Sequence, residues 1–364
     1  MDREACNVAV HGTLPAAPWR LADGCWPRTG ADRRHSRRVG VLGPSRGSTR
    51  AVCALPGPSS ALAQLAAAEE SIWISRADHL LCFDLRGELR WSAAAGDPER
   101  ARFTSAPLIL SDGTAVLRSG RRLSFVSARG VVGRVDWTGA DDSGPAPNLT
   151  ADGRIVLTSM SGEVALASAD GAVTPVGSFG YDILPPAIQD DGTLVISGYG
   201  GTGLVCVTPS GERVWAGDSR DPDLLPSVDA SGVVAVGALG GGSSFHSPSG
   251  GRLGSYREGA AFAELGGGQW AALGRTSLAC VDSSGVVSWT LALGGEIDLA
   301  WGGLGPVIDQ ANRVYFPRVG GFACVTRSGE AVFDLDLPAT PSDVAIVSEG
   351  VAAVVVGDAL HLVT

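Results

Sequence analysis

Apolar and polar positions along this chain follow a unit that returns about every forty residues. The clearest copy is Pro186 to Trp215, PAIQDDGTLVISGYGGTGLVCVTPSGERVW. A proline opens an apolar triplet and an Asp-Gly pair follows. Two apolar runs then flank a glycine-rich gap, and Ser-Gly and a tryptophan close the unit. Asp-Gly is a two-residue hairpin signal, because a type I′ turn needs positive φ at both central positions. The unit therefore predicts four short strands joined by three turns.

Two turn series carry the repeat. The first falls at Asp112-Gly113, Asp152-Gly153, Asp191-Gly192 and Ser231-Gly232, then more loosely at Gly267-Gly268, Ala311-Asn312 and Glu349-Gly350. Prolines 107, 147, 186, 226 and 306 open the strands ahead of it, where a missing N–H removes no ladder bond. The second series is Gly87, Gly130, Gly171, Gly211, Gly250, Gly285 and Gly329, with spacings of 43, 41, 40, 39, 35 and 44. Four of these glycines are followed four residues later by Trp91, Trp215, Trp289 and Phe333. In the same repeats LLCFD, LVCVT, LACVD and FACVT place Cys82, Cys206, Cys280 and Cys324 at equivalent positions. Thiols in separate repeats lie far apart, so they read as small core residues.

Runs such as TLVIS, GVVAVGAL and VAAVVVG are apolar on both faces, as strands covered on both sides must be. Four-stranded units at this period predict an all-β fold, a β-propeller of antiparallel blades around an axis. The recurring Trp and Phe are expected to fill the gaps between blades, each burying about 150 to 250 Å². Seven repeats are complete. Pro341 to Thr364 adds three strands without a fourth, and STRAVCAL, Ser48 to Leu55, is a strand without a sheet. Joined, they make an eighth blade closed by both termini, so eight blades are expected, with seven as the alternative. The division is an irregular arm, residues 1–47, and a propeller, residues 48–364.

LLCFDLRGELRW, LVCVTPSGERVW and LACVDSSGVVSW each end in G-x-x-x-W, and CWPRTGADRRHSRRVGVLGP precedes the first blade. In these segments the chain resembles the pyrroloquinoline-quinone-like (PQQ-like) repeat propellers. The resemblance implies the fold over residues 25–364. It also implies two classes of function. Dehydrogenases of that family hold their quinone against a vicinal cysteine disulfide and bind calcium in the funnel. No two cysteines are adjacent here, so the chain looks closer to the non-catalytic scaffold members, and PQQ is not expected.

Composition narrows the picture further. Charged residues are 18% of the chain, and all 28 basic residues are arginine. Residues 1–50 hold nine Arg against four Asp or Glu, leaving −15 on the rest of a chain whose net charge is −10. An acidic body argues against nucleic acid, which needs a basic stripe. The cluster Arg33, Arg34, Arg37, Arg38 then reads as a cationic arm lying on an acidic body, with Trp26 as an anchor. No apolar run approaches a membrane span, and the N-terminus lacks the pattern of a secretory signal. A cytoplasmic, monomeric protein is the expectation.

Candidate chemistry sorts by face. The connections within the first and second strand pair, and within the third and fourth, are the tight glycine turns. The other connections share the opposite face and vary in length, where binding is expected. They carry Arg76, His79, Arg118, Tyr181, Asp182, Tyr199, Asp223, Glu258, Arg275, Asp298, Trp301 and Arg318. Carboxylates among them have the oxygen chemistry for Ca²⁺ or for a general acid. No histidine lies in a catalytic motif, and GYGGTG, residues 198–203, joins two strands without a helix to receive phosphate. The expectation is a non-catalytic scaffold that binds a protein or small ligand through this long-loop face, without a metal or cofactor. The alternative is an enzyme using the funnel carboxylates, with or without Ca²⁺, or a quinone-dependent oxidoreductase.

Overall fold

The computed structural model describes residues 8–23, 26, 30–56, 63–68, 70–94, 105–119, 122–137, 145–199, 203–219, 222–238, 240–299 and 304–364. The described strands form eight antiparallel sheets, with no helix among the described residues. Blades 1 to 7 span residues 63–94, 108–137, 148–178, 187–216, 227–256, 261–292 and 307–336. Within each, successive strands pair in sequence order from the axis outward.

Blade 8 is built from both ends of the chain. Asp343–Ser348, Val351–Val356 and Ala359–Val363 form three strands, and Thr49–Ala54 pairs with Ala359–Val363 as the fourth. Ser48 and Thr364 exchange backbone hydrogen bonds of 3.0 and 2.9 Å where the turn of an ordinary blade would lie. The wheel therefore has eight blades. Its core lies between neighbouring sheets, as where Phe245, Phe262 and Trp270 pack with ring centroids 5.3 to 6.2 Å apart.

The arm lies across the tight-turn end of the axis. A strand's edge facing an axis leaves N–H groups that need partners, and this segment supplies them. Ser111 of blade 2 donates to the Arg20 carbonyl at 2.8 Å, and Trp26 and Ala67 of blade 1 exchange bonds of 3.1 and 2.6 Å. Four carbonyls, those of Arg33, Arg34, Ser36 and Arg37, then accept the N–H groups of Ile188, Val228, Glu264 and Ile308 at 2.7 to 2.9 Å. Those donors belong to the innermost strands of four successive blades. His35 and Arg37 adopt left-handed backbone, φ 55° and 54°. These bends in so short a segment let neighbouring carbonyls point at neighbouring blades.

The arm's side chains are fixed as firmly. The Trp26 ring is buried, and the Asn148 amide donates to the carbonyls of Arg33 and Pro186 at 3.1 and 2.7 Å. Gly43 is required, because a methyl group there would stand 2.6 Å from the Tyr315 ring. Val8–Gly12 adds a fifth strand to the outside of blade 2. The expected cationic arm on an acidic surface is thus corrected in part. Arg33 pairs with Asp190 at 3.0 Å on the surface, whereas Arg37 is fully buried.

Asp343, also buried, lies within the field of Arg37 and joins the last blade to the first. Its carboxylate accepts the N–H of Leu65 at 2.9 Å and of Val344 at 2.8 Å. Burial pushes this carboxyl up to about 7 in spite of those donors, and it pushes the Arg37 guanidinium down to about 10.

Candidate functional site

The tight-turn face is where blades lock together. All seven turn glycines of the second series have positive φ, between 84° and 97°. At Gly250, Gly329 and Gly47 the missing side chain makes room for the aromatic of the preceding blade. A methyl group would stand 2.7 Å from Trp215 at Gly250 and 3.0 Å from Trp289 at Gly329. Gly47 lies against Phe333, so the arm supplies the turn glycine that blade 8 lacks. Trp289 Nε1 donates to the Arg327 carbonyl at 2.9 Å, and Trp215 stacks on His246 at 6.3 Å between centroids. Trp91 is different. It packs edge-on against Trp73 of its own blade at 5.1 Å, and the space beside Gly130 is open.

Joints without an aromatic use backbone or a smaller side chain. Gly211 faces the Val176 carbonyl and Gly285 the Ser255 carbonyl, while Gly171 faces Val10 of the added fifth strand. The four equivalent cysteines pair in register with the docking residues, Cys82 with Trp91, Cys206 with Trp215, Cys280 with Trp289 and Cys324 with Phe333. Just beyond each pair the register shifts, and at Trp215, Trp289 and Phe333 such a bulge re-aims the side chain toward the next blade. Burial raises all four thiols, Cys82 to about 11 and Cys324 to about 12, which leaves them poor nucleophiles.

On the long-loop face several charged candidates serve structure. Arg76 is buried, donates to the Leu55 carbonyl at 2.8 Å and pairs with Asp358, so it clasps blade 1 to blade 8. Arg118 is buried with its guanidinium 5.4 Å over the Trp137 ring. Arg318 pairs with Asp334 and, at 2.6 Å, with Asp336 of its own blade's outer strand. Arg275 pairs with Glu296, and His79 Nδ1 lies 2.6 Å from Asp78. Glu258 accepts the Ser277 hydroxyl at 2.7 Å and its carbonyl accepts that of Ser243 at 2.7 Å. Asp223 is half-buried and Asp298 exposed. Trp301 lies outside the described residues.

Tyr181 and Tyr199 are brought together. Their backbones form a two-residue bridge, with bonds of 2.9 and 3.3 Å, and their rings meet edge to face at 5.8 Å. Each keeps 46% of its surface exposed. The loop beneath is pinned: Phe179 is buried and donates to Gly162, and Asp182, at φ 51°, donates to the Met160 carbonyl at 2.7 Å. The tyrosines are eighteen positions apart in sequence, so no spacing rule links them.

Among the described residues, no three His, Cys, Asp or Glu side chains converge as a metal site. Asp182, Asp223, Glu258 and Asp298 are therefore not drawn into one cluster. The arm adds a feature that the repeat pattern does not announce. A cavity of about 300 Å³ lies on the tight-turn face, lined by Leu21, Asp32, Arg33, Arg34 and Asp190. Among the described residues no helix is long and apolar enough to cross a membrane.

No family model matches the sequence, and no curated protein matches it. Solved structures match the fold. BamB from Moraxella catarrhalis is 14% identical with a TM-score of 0.63, over 86% of this chain and 98% of BamB. Quinohemoprotein alcohol dehydrogenase from Comamonas testosteroni is 11% identical with a TM-score of 0.69, over 96% of this chain and 81% of that one. The computationally designed Ika8 protein is 13% identical with a TM-score of 0.67, over 87% and 99%. At these identities the likeness is one of fold. A fold shared by a dehydrogenase, BamB and a designed protein does not carry a function with it.

Proposed function

We propose that this chain is a non-catalytic β-propeller scaffold that binds another protein through its long-loop face. The observation that supports this reading most strongly is the Tyr181–Tyr199 pair, two half-exposed rings held on a pinned loop. Rigid, exposed tyrosines are the residue type that concentrates binding energy in protein interfaces. The charged candidates around the face support it from the other side, because Arg76, Arg118 and Arg318 hold blades and strands together.

The test is quantitative co-purification from the cells that make the protein, comparing the native chain with Tyr181→Ala/Tyr199→Ala at equal folded amounts. A partner retained by the native chain and lost by the double variant is the expected result. Equal recovery by both, or a turnover abolished by Asp182→Asn or Asp298→Asn with the fold intact, would overturn the reading.

A further inference from the structure

We propose that two copies of this chain associate through the outer edge of blade 6, their strands Val287–Ala292 pairing antiparallel about a two-fold axis. This surface is separate from the long-loop face, and the dimer replaces the monomer expected from the sequence. An outermost strand carries backbone N–H and C=O groups without a ladder partner, and proteins guard it with charge, proline or an added strand. Six of the seven four-stranded blades do so. Arg90, Arg213, Arg252 and Arg50 stand in the outer strands of blades 1, 4, 5 and 8, Pro175 in that of blade 3, and Asp334 and Asp336 in that of blade 7. Blade 2 is covered by Val8–Gly12, where His11 lies 3.6 Å from Asp136 and Gly12 turns left-handed at φ 78°.

Blade 6 has none of these guards. Its outer strand reads VSWTLA, and no charged residue occurs from Ser283 to Gly295. Val286 and Val287 keep 62% and 42% of their surface exposed. Leu253 of blade 5, 46% exposed, precedes Gly254, which packs on the Ser284 backbone and so continues the apolar rim. The ladder fixes which backbone groups are available. Leu293 donates to the Thr276 carbonyl at 2.9 Å, so by the alternation of an antiparallel pair Trp289 and Leu291 bond inward, while Thr290 and Ala292 turn N–H and C=O outward.

Charge selects a second copy as the occupant. An uncharged edge meets its own copy without opposing like charges, whereas the edges of blades 1, 4, 5, 7 and 8 would set groups of one sign against each other. The chain already uses this mode of contact, since Val8–Gly12 extends blade 2 by antiparallel pairing from Val8 opposite Trp137 to Gly12 opposite Gly133. With the two-fold axis at Thr290, clear of the register shift before Trp289, Thr290 meets Thr290 of the partner subunit as a hydrogen-bonded pair. One unguarded edge per four-stranded wheel rim closes the assembly at two.

The experiment is sedimentation velocity of the full chain from low to high micromolar concentration. A reversible dimer with a Kd on the order of 10 μM and no larger species is expected, as for a small interface. Thr290→Pro removes only an outward N–H, and Thr290→Arg gives blade 6 the guard of its neighbours. Each should weaken the dimer by about tenfold or more with Tm kept. Leu89→Arg, on the outer strand of blade 1, should dimerise as the native chain does. An equimolar mixture of Thr290→Arg and Thr290→Asp chains should dimerise again, because opposite charges then face each other across the axis. A native chain that stays monomeric throughout, a dimer unchanged by both folded Thr290 variants, or assembly beyond two would overturn the inference. So would a mixture of the two charged variants that stays monomeric.

Discussion

The two faces of the wheel use the same eight sheets in opposite ways. On the tight-turn face backbone meets backbone: Gly211 against the Val176 carbonyl, Gly285 against that of Ser255, and the arm's carbonyls against four innermost strands. On the long-loop face side chains lie over backbone, and the Tyr181–Tyr199 pair remains half exposed. Stability is therefore concentrated where glycine is obligatory, and the proposed recognition where side chains are free to vary.

Mutations should grade along that contrast. The largest loss is expected for Gly211→Ala, which combines a positive φ with a methyl group driven into a carbonyl. We expect more than about 4 kcal/mol in urea denaturation, the range of severe backbone lesions. Trp215→Ala empties an aromatic joint and should cost roughly 3 to 4 kcal/mol. A value near zero would place the Trp215 ring outside the blade interface.

The axis gives a pH test of the same contrast. The Asp343 carboxyl rises from 3.8 in the unfolded chain to about 7 in the fold. Its folded state holds a proton that the unfolded chain releases, so its contribution is fully present below about 4 and declines as pH rises through 7. The Tm of the native chain relative to Asp343→Asn should fall between pH 5 and 7, by the equivalent of about 2 kcal/mol. A flat difference would mean that Asp343 is ionised throughout. Gly130→Ala sharpens the comparison, because nothing lies within 4 Å of the added methyl group. Only the left-handed backbone resists, at about 1 to 2 kcal/mol. Tyr181→Ala/Tyr199→Ala removes one half-exposed ring pair and should cost about 0.5 to 1.5 kcal/mol.

The same contrast explains what could be read from sequence. Turn glycines recur because positive φ and close approach exclude other residues, so the period, the equivalent places of the cysteines and docking aromatics, and the blade shared by both termini were all legible. The route of the arm was not. Its bonds run from main-chain carbonyl to main-chain N–H, which ADRRHSRR makes no differently from many other sequences. Loop arginines gave a second blind spot. Arg76 and Arg118 read as ligand-binding candidates, yet one clasps Asp358 and the other lies over Trp137, partners 282 and 19 residues away. The tyrosine pair was named residue by residue, but its contact spans an intervening hairpin and leaves no periodic trace.

The claim that the long-loop face is the working face can be tested by placing a photo-crosslinking residue at Tyr199 and, separately, at Leu89, which is 47% exposed on the tight-turn side. Irradiated in cells that make the protein, the Tyr199 position should give a discrete protein adduct and the Leu89 position none. An adduct at Leu89 with none at Tyr199 would contradict the account.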